Sequence, residues 1–317
     1  MLPHFGMVVG GEFQRGHHRG GAGGRWVNTE ERDRVRALQL MAQALPLVRE
    51  HRPATETYGF YLHFARLTLG QRGYDNAWRL QVLTDLTRLP DVDEPQSGDR
   101  PQGAPVDADG KPVLYGVPES FEAAANDGER WRWLLRQAEL ADPAQAGQPR
   151  LEFGQFLRDQ FDVHTLAAFG RWFSGKAEDE RAGVFAVHTL KDDETIARLA
   201  TGVSRFTLPD GYRFIALLKD LAEKGPERGV QQEATRRLAS LYQDRRQYPE
   251  AVTWWERYAA FDQRSATEAI RQITGNWGRF EPIRTQPAGR PATVPFRFRN
   301  ARQVSFTAYR VDLRRVL

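Results

Sequence analysis

The sequence predicts a mainly α-helical protein, built from antiparallel helical hairpins stacked as an α-solenoid and ending in a short antiparallel β segment. Apolar residues recur at helical spacing through most of the 317 residues. Past Thr274 the period changes to two, which is typical of a strand with one buried face. A hydrophobic content of 40% and an aromatic content of 11% fit a folded globular chain.

The start of the chain, residues 1–27, is rich in glycine and contains the run RGHHRGGAGGR. Because glycines raise the entropic cost of ordering, we expect a flexible or extended segment. His17 and His18 are adjacent, but no third ligand residue lies near them, so the sequence predicts no metal site there.

Residues 28–90 predict a first group of helices. Asn28 and Glu31 have the spacing of a capping box, so a helix should begin there, with Pro46 bending its last turn. A second helix is expected near 55–69 and a third near 75–88. The short connections between them should place consecutive helices side by side and antiparallel.

Residues 91–119 read as a loop rich in proline, glycine and aspartate, and this loop is the predicted boundary between two helical groups. Its stretch VDADGKP resembles part of an EF-hand loop. With Gly110 at the sixth position, however, the first and twelfth positions would be Pro105 and Gly116, where carboxylates are needed. A tight Asp-Gly turn is the favoured interpretation.

Residues 120–274 predict a second, tetratricopeptide-like helical region. Helices are expected near 120–140 and 149–169, over DDETIARLA at 192–200, and from Pro209 and Asp210 onwards. The clearest pattern is a helical hairpin at 226–262. Small and aromatic residues there follow the spacing of one tetratricopeptide-like repeat: Ala239, Tyr242, Tyr248, Ala251 and Trp255.

Stacked hairpins of this kind form a concave groove that can hold a peptide or another domain. The residues expected near the groove are Tyr242, Arg245, Arg246, Trp254 and Trp255. The alternative is that both tryptophans only pack between neighbouring helices.

Residues 275–317 are predicted to be a linker and a β hairpin. Val294, Phe296 and Phe298 alternate with polar residues and proline, a turn follows at 300–302, and Val304 and Phe306 resume the alternation. Two strands cannot bury an apolar face alone, so the hairpin either packs on the helices or requires further strands.

The same end of the chain is basic. Residues 279–315 contain nine arginines and only two acidic residues. This charge could meet an acidic partner or a membrane surface. Alternatively, Arg297, Arg299 and Arg302 simply form the solvated face of a sheet, as their alternation with apolar residues would require.

Known catalytic patterns do not occur in the sequence. The absence of cysteine excludes disulfides, thiolate metal sites and thioesters. We find no nucleophile elbow, Walker A sequence, dinucleotide-binding glycine motif or H-E-x-x-H. We therefore expect no enzyme activity, no cofactor, no metal and no nucleic-acid partner. No stretch reaches the roughly 18 apolar residues of a membrane helix, and the start lacks the features of a signal peptide.

The segment GNWGRFEP, followed by TQPAG and VPFRFRNARQVSFTAYRVDL, resembles large planctomycete-type bacterial alpha-2-macroglobulin-like proteins. The likeness extends to EFQRGHHRGG, ERDRVRALQLMAQALPL, AWRLQVLTDLTRLPD and RRQYPEAV. In that family a helical, tetratricopeptide-like region precedes macroglobulin β-domains that trap proteases in the cell envelope.

The resemblance implies a truncated amino-terminal helical module whose partner is the downstream β-domains or another protein. It also implies a periplasmic or envelope location for the parent protein. The chain departs from the family pattern because it has neither the thioester cysteine nor an identifiable bait region. The expected function is a non-enzymatic scaffold, and the alternative is a free-standing tetratricopeptide-like adaptor that binds a peptide.

Overall fold

A computed structural model describes residues 5–15, 24–51, 53–70, 72–73, 76–91, 103–168, 186–283, 286, 289, 291 and 293–307. The chain divides into two compact units, Met1–Ala251 and Val252–Leu317. The described residues are mainly α-helical, with a few short antiparallel strand pairs, so the predicted fold class is confirmed. His17 and His18 lie outside the described residues.

The first unit opens with a three-stranded antiparallel sheet in the order β2-β1-β3. The strands are β1 (Phe5–Val9), β2 (Glu12–Arg15) and β3 (Arg25–Asn28). Gly10 and Gly11 join β1 to β2 with φ values of 59° and 87°, which glycine adopts without strain. Of the two alternatives expected for residues 1–27, flexible or extended, the described strands match the extended one, because Gly10 and Gly11 form a two-residue hairpin turn between residues that favour strands.

Two long helices follow, α1 (Glu30–His51) and α2 (Ala54–Leu69), close to their predicted positions. Pro46 lies inside α1, as expected. The capping box does not form as predicted. Asn28 Oδ1 instead accepts from the N–H of Glu30 at 2.8 Å, and the Glu31 carboxylate accepts from Arg34 and Arg72.

The prediction of a third helix at 75–88 is wrong. Only a 3-10 helix at Ala77–Gln81 forms, and the chain then continues without regular structure to residue 91. Asp127 explains the difference, because it accepts from the backbone N–H of Thr84 at 3.0 Å and its own N–H donates to Val82 O at 3.0 Å. This long-range side-chain pairing replaces the local helical hydrogen bonds.

The predicted Asp-Gly turn is confirmed. Val106 and Pro112 form an antiparallel bridge, and Asp107 Oδ1 accepts from the backbone N–H groups of Asp109 and Lys111. Gly110 has a φ of 78°.

Three helices then form much of the core of the first unit: α3 (Asp127–Ala141), α4 (Gly147–Phe161) and the short α5 (His164–Ala168). The Trp131 and Phe156 rings lie 4.6 Å apart between α3 and α4. Asn126 begins α3 by accepting from Glu129 N, which places the start later than predicted. The helix expected at 149–169 is interrupted at Asp162, whose carboxylate accepts from Val163 N–H.

The helix expected over residues 192–200 is also wrong. The segment forms β4 (Glu194–Leu199), paired antiparallel with β5 (Gly202–Thr207). Thr195 and Ile196 are β-branched and buried, and residues of this kind favour a pleated, packed surface. Gly202, at a φ of 134°, lies at the start of β5.

The first unit continues through α6 (Phe214–Lys224) and α7 (Arg228–Asp244). The next helix, α8 (Tyr248–Tyr258), includes the boundary between the units. The two helices predicted between 226 and 262 are therefore present, separated by a three-residue turn at 245–247. Arg246 adopts a left-handed φ of 56° in this turn.

The second unit contains α9 (Gln263–Thr274), β6 (Trp277–Phe280) and β7 (Phe296–Arg299). The pairing of β7 corrects the predicted hairpin. The partner of β7 is β6, which precedes it, and residues 303–307 form no strand. The reason is that the alternation in WGRF matches that of FRFR, so ring packs against ring when the two strands pair.

Candidate interaction surface

The β6–β7 hairpin has two chemically distinct faces. Phe280 pairs with Phe296 and Gly278 with Phe298, so the three phenylalanines share one side, and Phe306 packs on them. We call these four rings the aromatic face. The opposite side carries Trp277, Arg279, Arg297 and Arg299, which we call the basic face.

The aromatic face is packed internally and yet exposed. The Phe296 ring lies 5.0 Å from both the Phe280 and the Phe306 ring. Phe280 remains 59% exposed, Phe298 48% and Phe306 63%. Adjacent exposed rings of this size are unusual on a finished surface and mark interaction sites. Within the described chain, Phe280, Phe298 and Phe306 therefore lie at the surface.

Gly278 is needed beneath the aromatic face. A Cβ atom at this position would lie 2.5 Å from Cζ of Phe296. The glycine thus lets the Phe296 ring cover the strand backbone, which positions this ring for the others to pack against.

Most of the positive charge on the basic face is not neutralised by a nearby carboxylate. Glu281 lies 3.0 Å from Arg297 Nε and 3.8 Å from Arg279 Nε. The Arg279 guanidinium also lies over the Trp277 ring, 5.3 Å from its centroid. Two of the three arginines therefore share one carboxylate, and the face has a net positive charge. The prediction that Arg297 and Arg299 form the solvated side of a strand agrees with this arrangement, whereas Arg302 lies outside the strand.

The hairpin is fastened to the C-terminal end of α9. Asn300 Nδ2 donates to Ile273 O at 2.7 Å and to Gly275 O at 3.0 Å, and Arg299 donates to Gln272 O. These carbonyls have no partner inside the helix. Asn300 can fill this position because it adopts a left-handed φ of 60°, which asparagine tolerates better than most residues. A helix therefore fixes the orientation of both faces.

The residues predicted to line a helical groove lie in different environments. Tyr242 is buried, and its hydroxyl donates to Asp192 Oδ1 at 2.7 Å. Burial, together with this hydrogen bond, raises the pKa of Tyr242 above its usual range. Asp192 also accepts from Lys219 at 2.5 Å. Burial alone would raise the pKa of Asp192, but these two donors hold it below its usual range.

Arg245 is also directed into the protein. It follows α7 directly, and its side chain is 0% exposed, as is that of Asp162, whose Oδ1 lies 3.5 Å from Arg245 Nε. Arg245 Nη1 donates to Lys191 O at 3.2 Å, and Phe214 lies beneath the guanidinium. The pair thus ties the turn before α8 to the end of α4.

Asp162 has two further neighbours, Arg158 and His164. Arg158 Nε lies 3.4 Å and His164 Nδ1 3.6 Å from its Oδ2. Burial would raise the pKa of Asp162, but His164, Arg245 and Arg158 together hold it below its usual range. A carboxylate held ionised by several cations stabilises structure, and it is poorly suited to accept a proton near neutral pH.

The other residues of the predicted groove belong to the second unit or to the turn. Trp254 is buried, with the Arg257 guanidinium 4.3 Å from its ring centroid. Trp255 is half-buried and contacts the Tyr258 ring edge to face. Arg246 is exposed. Because Tyr242, Arg245 and Trp254 are buried, the exposed surface offered by the five residues is small.

A second buried ionic cluster joins α1 and α3 to Arg72, which follows α2. Asp127 is almost fully buried and lies 3.2 Å from Arg72 and 3.3 Å from Arg130. Arg72 also contacts Glu31, at 2.9 Å. Burial opposes ionisation of Glu31, but Arg34 and Arg72 lower its pKa. The cluster ties α1 and α3 to the segment after α2, and it contains none of the predicted site residues.

The histidines do not form a hydrolase arrangement in the described chain. His63 and His188 are both exposed, and neither has a carboxylate and a hydroxyl within hydrogen-bond reach. His164 lies 3.9 Å from Asp159 and 3.6 Å from Asp162. The described residues contain no cluster of three or more potential metal ligands. Among the described helices, none combines the length and the apolar character needed to cross a bilayer.

Comparison with known proteins gives no assignment. No protein-family model matches the chain. No characterised protein and no solved structure matches it either.

Sequence reasoning missed half of the surface described above. It named Phe296, Phe298 and Phe306 as residues of a hairpin, but it did not place Trp277 and Phe280 in a strand. The signal that could have found them is the alternation in WGRF, which has the same period as FRFR.

Proposed function

We propose that this chain is a non-enzymatic helical scaffold that presents a β-rich partner with a docking surface, the aromatic face of the β6–β7 hairpin. The partner is the β-domain of an alpha-2-macroglobulin-like, protease-trapping bacterial protein, as the sequence resemblance implies. Helix α9 positions the hairpin, and the chain itself catalyses nothing.

The observation that carries the proposal is the exposure of Phe280, Phe298 and Phe306 on a hairpin of only two described strands. A two-stranded hairpin is marginal in water without further packing. Covering three such rings would contribute several kcal/mol, at about 1.5–3 kcal/mol for a fully buried large side chain. Additional β structure could both cover these rings and extend the β6–β7 sheet.

The attachment of the hairpin to α9 supports a scaffolding role. Asn300 and Arg299 bind helix carbonyls directly, so the position of the aromatic face follows that of the helix. Loosely tethered strands would lose more conformational entropy on docking.

The alternative function, a peptide-binding adaptor, has less support. Its groove would be lined by Tyr242, Arg245, Arg246, Trp254 and Trp255, of which three are buried. A partner could reach Tyr242 or Arg245 only after their contacts with Asp192 and Asp162 had broken.

The test begins with the genomic DNA beyond the codon for Leu317. Several hundred β-rich codons, in frame or shifted by one base, are expected if the chain is a scaffold. A stop codon followed by an unrelated neighbouring gene would favour the adaptor and reject the scaffold.

The second step compares limited trypsin cleavage of the 317-residue chain and of the longer product. Arg297 and Arg299 are exposed in the hairpin and should be cut readily in the shorter chain. Docking of the β-domain should protect both sites, whereas Arg136, exposed on α3, serves as a control that docking should leave unchanged. Equal cleavage of the hairpin in both chains would refute the proposal.

A further inference from the structure

The backbone of β7 has an unpaired outer edge. Glu281 N donates to Pro295 O at 2.9 Å, so these two residues form a hydrogen-bonded pair of the β6–β7 ladder. Hydrogen-bonded and non-bonded pairs alternate along antiparallel strands, so Arg297 and Arg299 also face β6. The N–H and C=O groups of Phe296 and Phe298 therefore point away from β6.

No backbone hydrogen bond reaches that edge from the part of the chain that the structure describes. Open edges of this kind template the addition of another strand. The two phenylalanines would supply two donors and two acceptors at the spacing that an antiparallel strand uses.

The side chains on either side of this edge define the chemistry of the added strand. Residues opposite Phe296 and Phe298 would extend the aromatic face and should be apolar. Residues between them would lie beside Arg297 and Arg299 and should be acidic, because Glu281 is the one carboxylate paired with this face among the residues that the structure describes.

The same charges argue against a second copy of this chain as the added strand. Two β7 strands paired edge to edge would bring the arginines of both copies onto one face. Like charges on neighbouring strands destabilise the pair.

We propose that the outer edge of β7 binds, by antiparallel strand addition, a partner segment in which apolar residues alternate with acidic ones. This inference rests on the proposed docking function and names the mode of docking and the chemistry of the docked strand.

The test uses the 317-residue chain and a fluorophore-labelled peptide of alternating valine and glutamate, with binding measured by fluorescence anisotropy at low salt. Valines opposite Phe296 and Phe298 would exchange backbone hydrogen bonds with them. N-methylation of the valine amides should therefore abolish binding. N-methylation of the glutamate amides, which face away from β7, should leave it within about two-fold.

Matched protein variants test the charge. Arg297→Gln should weaken binding and Glu281→Gln should strengthen it, each by about two- to five-fold, the range expected for an exposed ion pair. Arg302 lies outside the strand, so Arg302→Gln serves as the control and should leave peptide binding unchanged. A peptide with lysine in place of glutamate should bind more weakly than the glutamate peptide.

Four results would overturn the inference: insensitivity to valine N-methylation, equal or tighter binding of the lysine peptide, no binding of the glutamate peptide, or a concentration-dependent dimer in sedimentation. If the peptide fails to bind while the longer product still protects Arg297 and Arg299 from trypsin, strand addition is rejected and the docking function stands.

Discussion

Replacement of Arg245 by methionine should destabilise the first unit severely. Methionine fills much of the same volume but removes the guanidinium that lies 3.5 Å from Asp162. Both side chains are fully buried, so no water can replace the lost partner. Breaking a buried ion pair by removing one member costs about 3–5 kcal/mol, because the other charge stays buried.

The structure places the expected loss near the lower end of that range. Asp162 keeps Arg158 at 3.4 Å, His164 at 3.6 Å and the N–H of Val163 at 2.8 Å. Lys191 O loses a donor, which adds about 1 kcal/mol. We therefore expect a loss of about 3 kcal/mol, or roughly a hundred-fold in the ratio of folded to unfolded chain.

The assay is urea unfolding at pH 7, followed by circular dichroism at a helical wavelength. Arg136→Met, on the exposed surface of α3, is the matched control and should change stability by less than about 0.5 kcal/mol. The double variant Arg245→Met with Asp162→Asn should recover part of the loss, because no uncompensated charge remains. A loss below about 1 kcal/mol for Arg245→Met, or no recovery in the double variant, would refute the reasoning.

Three further predictions concern pH and the hairpin. Asp162 and Asp192 have pKa values below their usual range. The stability that they contribute is therefore complete above about pH 4, the pKa in the unfolded chain, and is lost as the pH falls through their lower folded pKa values. Urea midpoints should fall from pH 5 to pH 3, and they should fall less steeply in Asp192→Asn. Asn300→Ala should destabilise the hairpin by about 1–2 kcal/mol, measured as faster amide exchange, because it removes the side-chain hydrogen bonds and places alanine at a positive φ. Asn300→Gly also removes the hydrogen bonds but adopts the positive φ without strain, so it should destabilise the hairpin less. Gly278→Val should displace Phe296, and unchanged exchange in this variant would contradict the packing described.

Periodicity predicted the long helices well because their stability depends on local repetition of apolar residues. The helices α1, α2 and α7 lie close to their expected positions. The Asp-Gly turn was also predictable, because the Asp107 carboxylate and Gly110 act within a few residues of each other.

The errors arose where distant residues decide the structure. The segment after Gln81 has a helical pattern, but Asp127, far along the chain, captures Thr84 instead. Over 194–199 an acidic start suggested a helix, yet pairing with β5 determines the fold. Local propensity contains no information about such long-range contacts.

The candidate surface was only half predictable for a related reason. Alternation identified the strand that carries Phe296 and Phe298, but its pairing with Trp277–Phe280 depends on a connection of fifteen residues. The burial of Arg245 was not predictable, because a charged residue in a turn is usually exposed and only the fold brings Asp162 beneath it.

Hydrogen exchange of residues 294–300 tests the docking role of the hairpin most directly. It should be measured in the 317-residue chain and in the longer product read from the genomic DNA. If β structure docks on the aromatic face and so stabilises the hairpin, the amides of Arg297 and Arg299, which are paired with β6, should exchange at least about ten-fold more slowly in the longer product. Equal exchange rates in the two proteins, with β-rich sequence present in the longer one, would contradict the account.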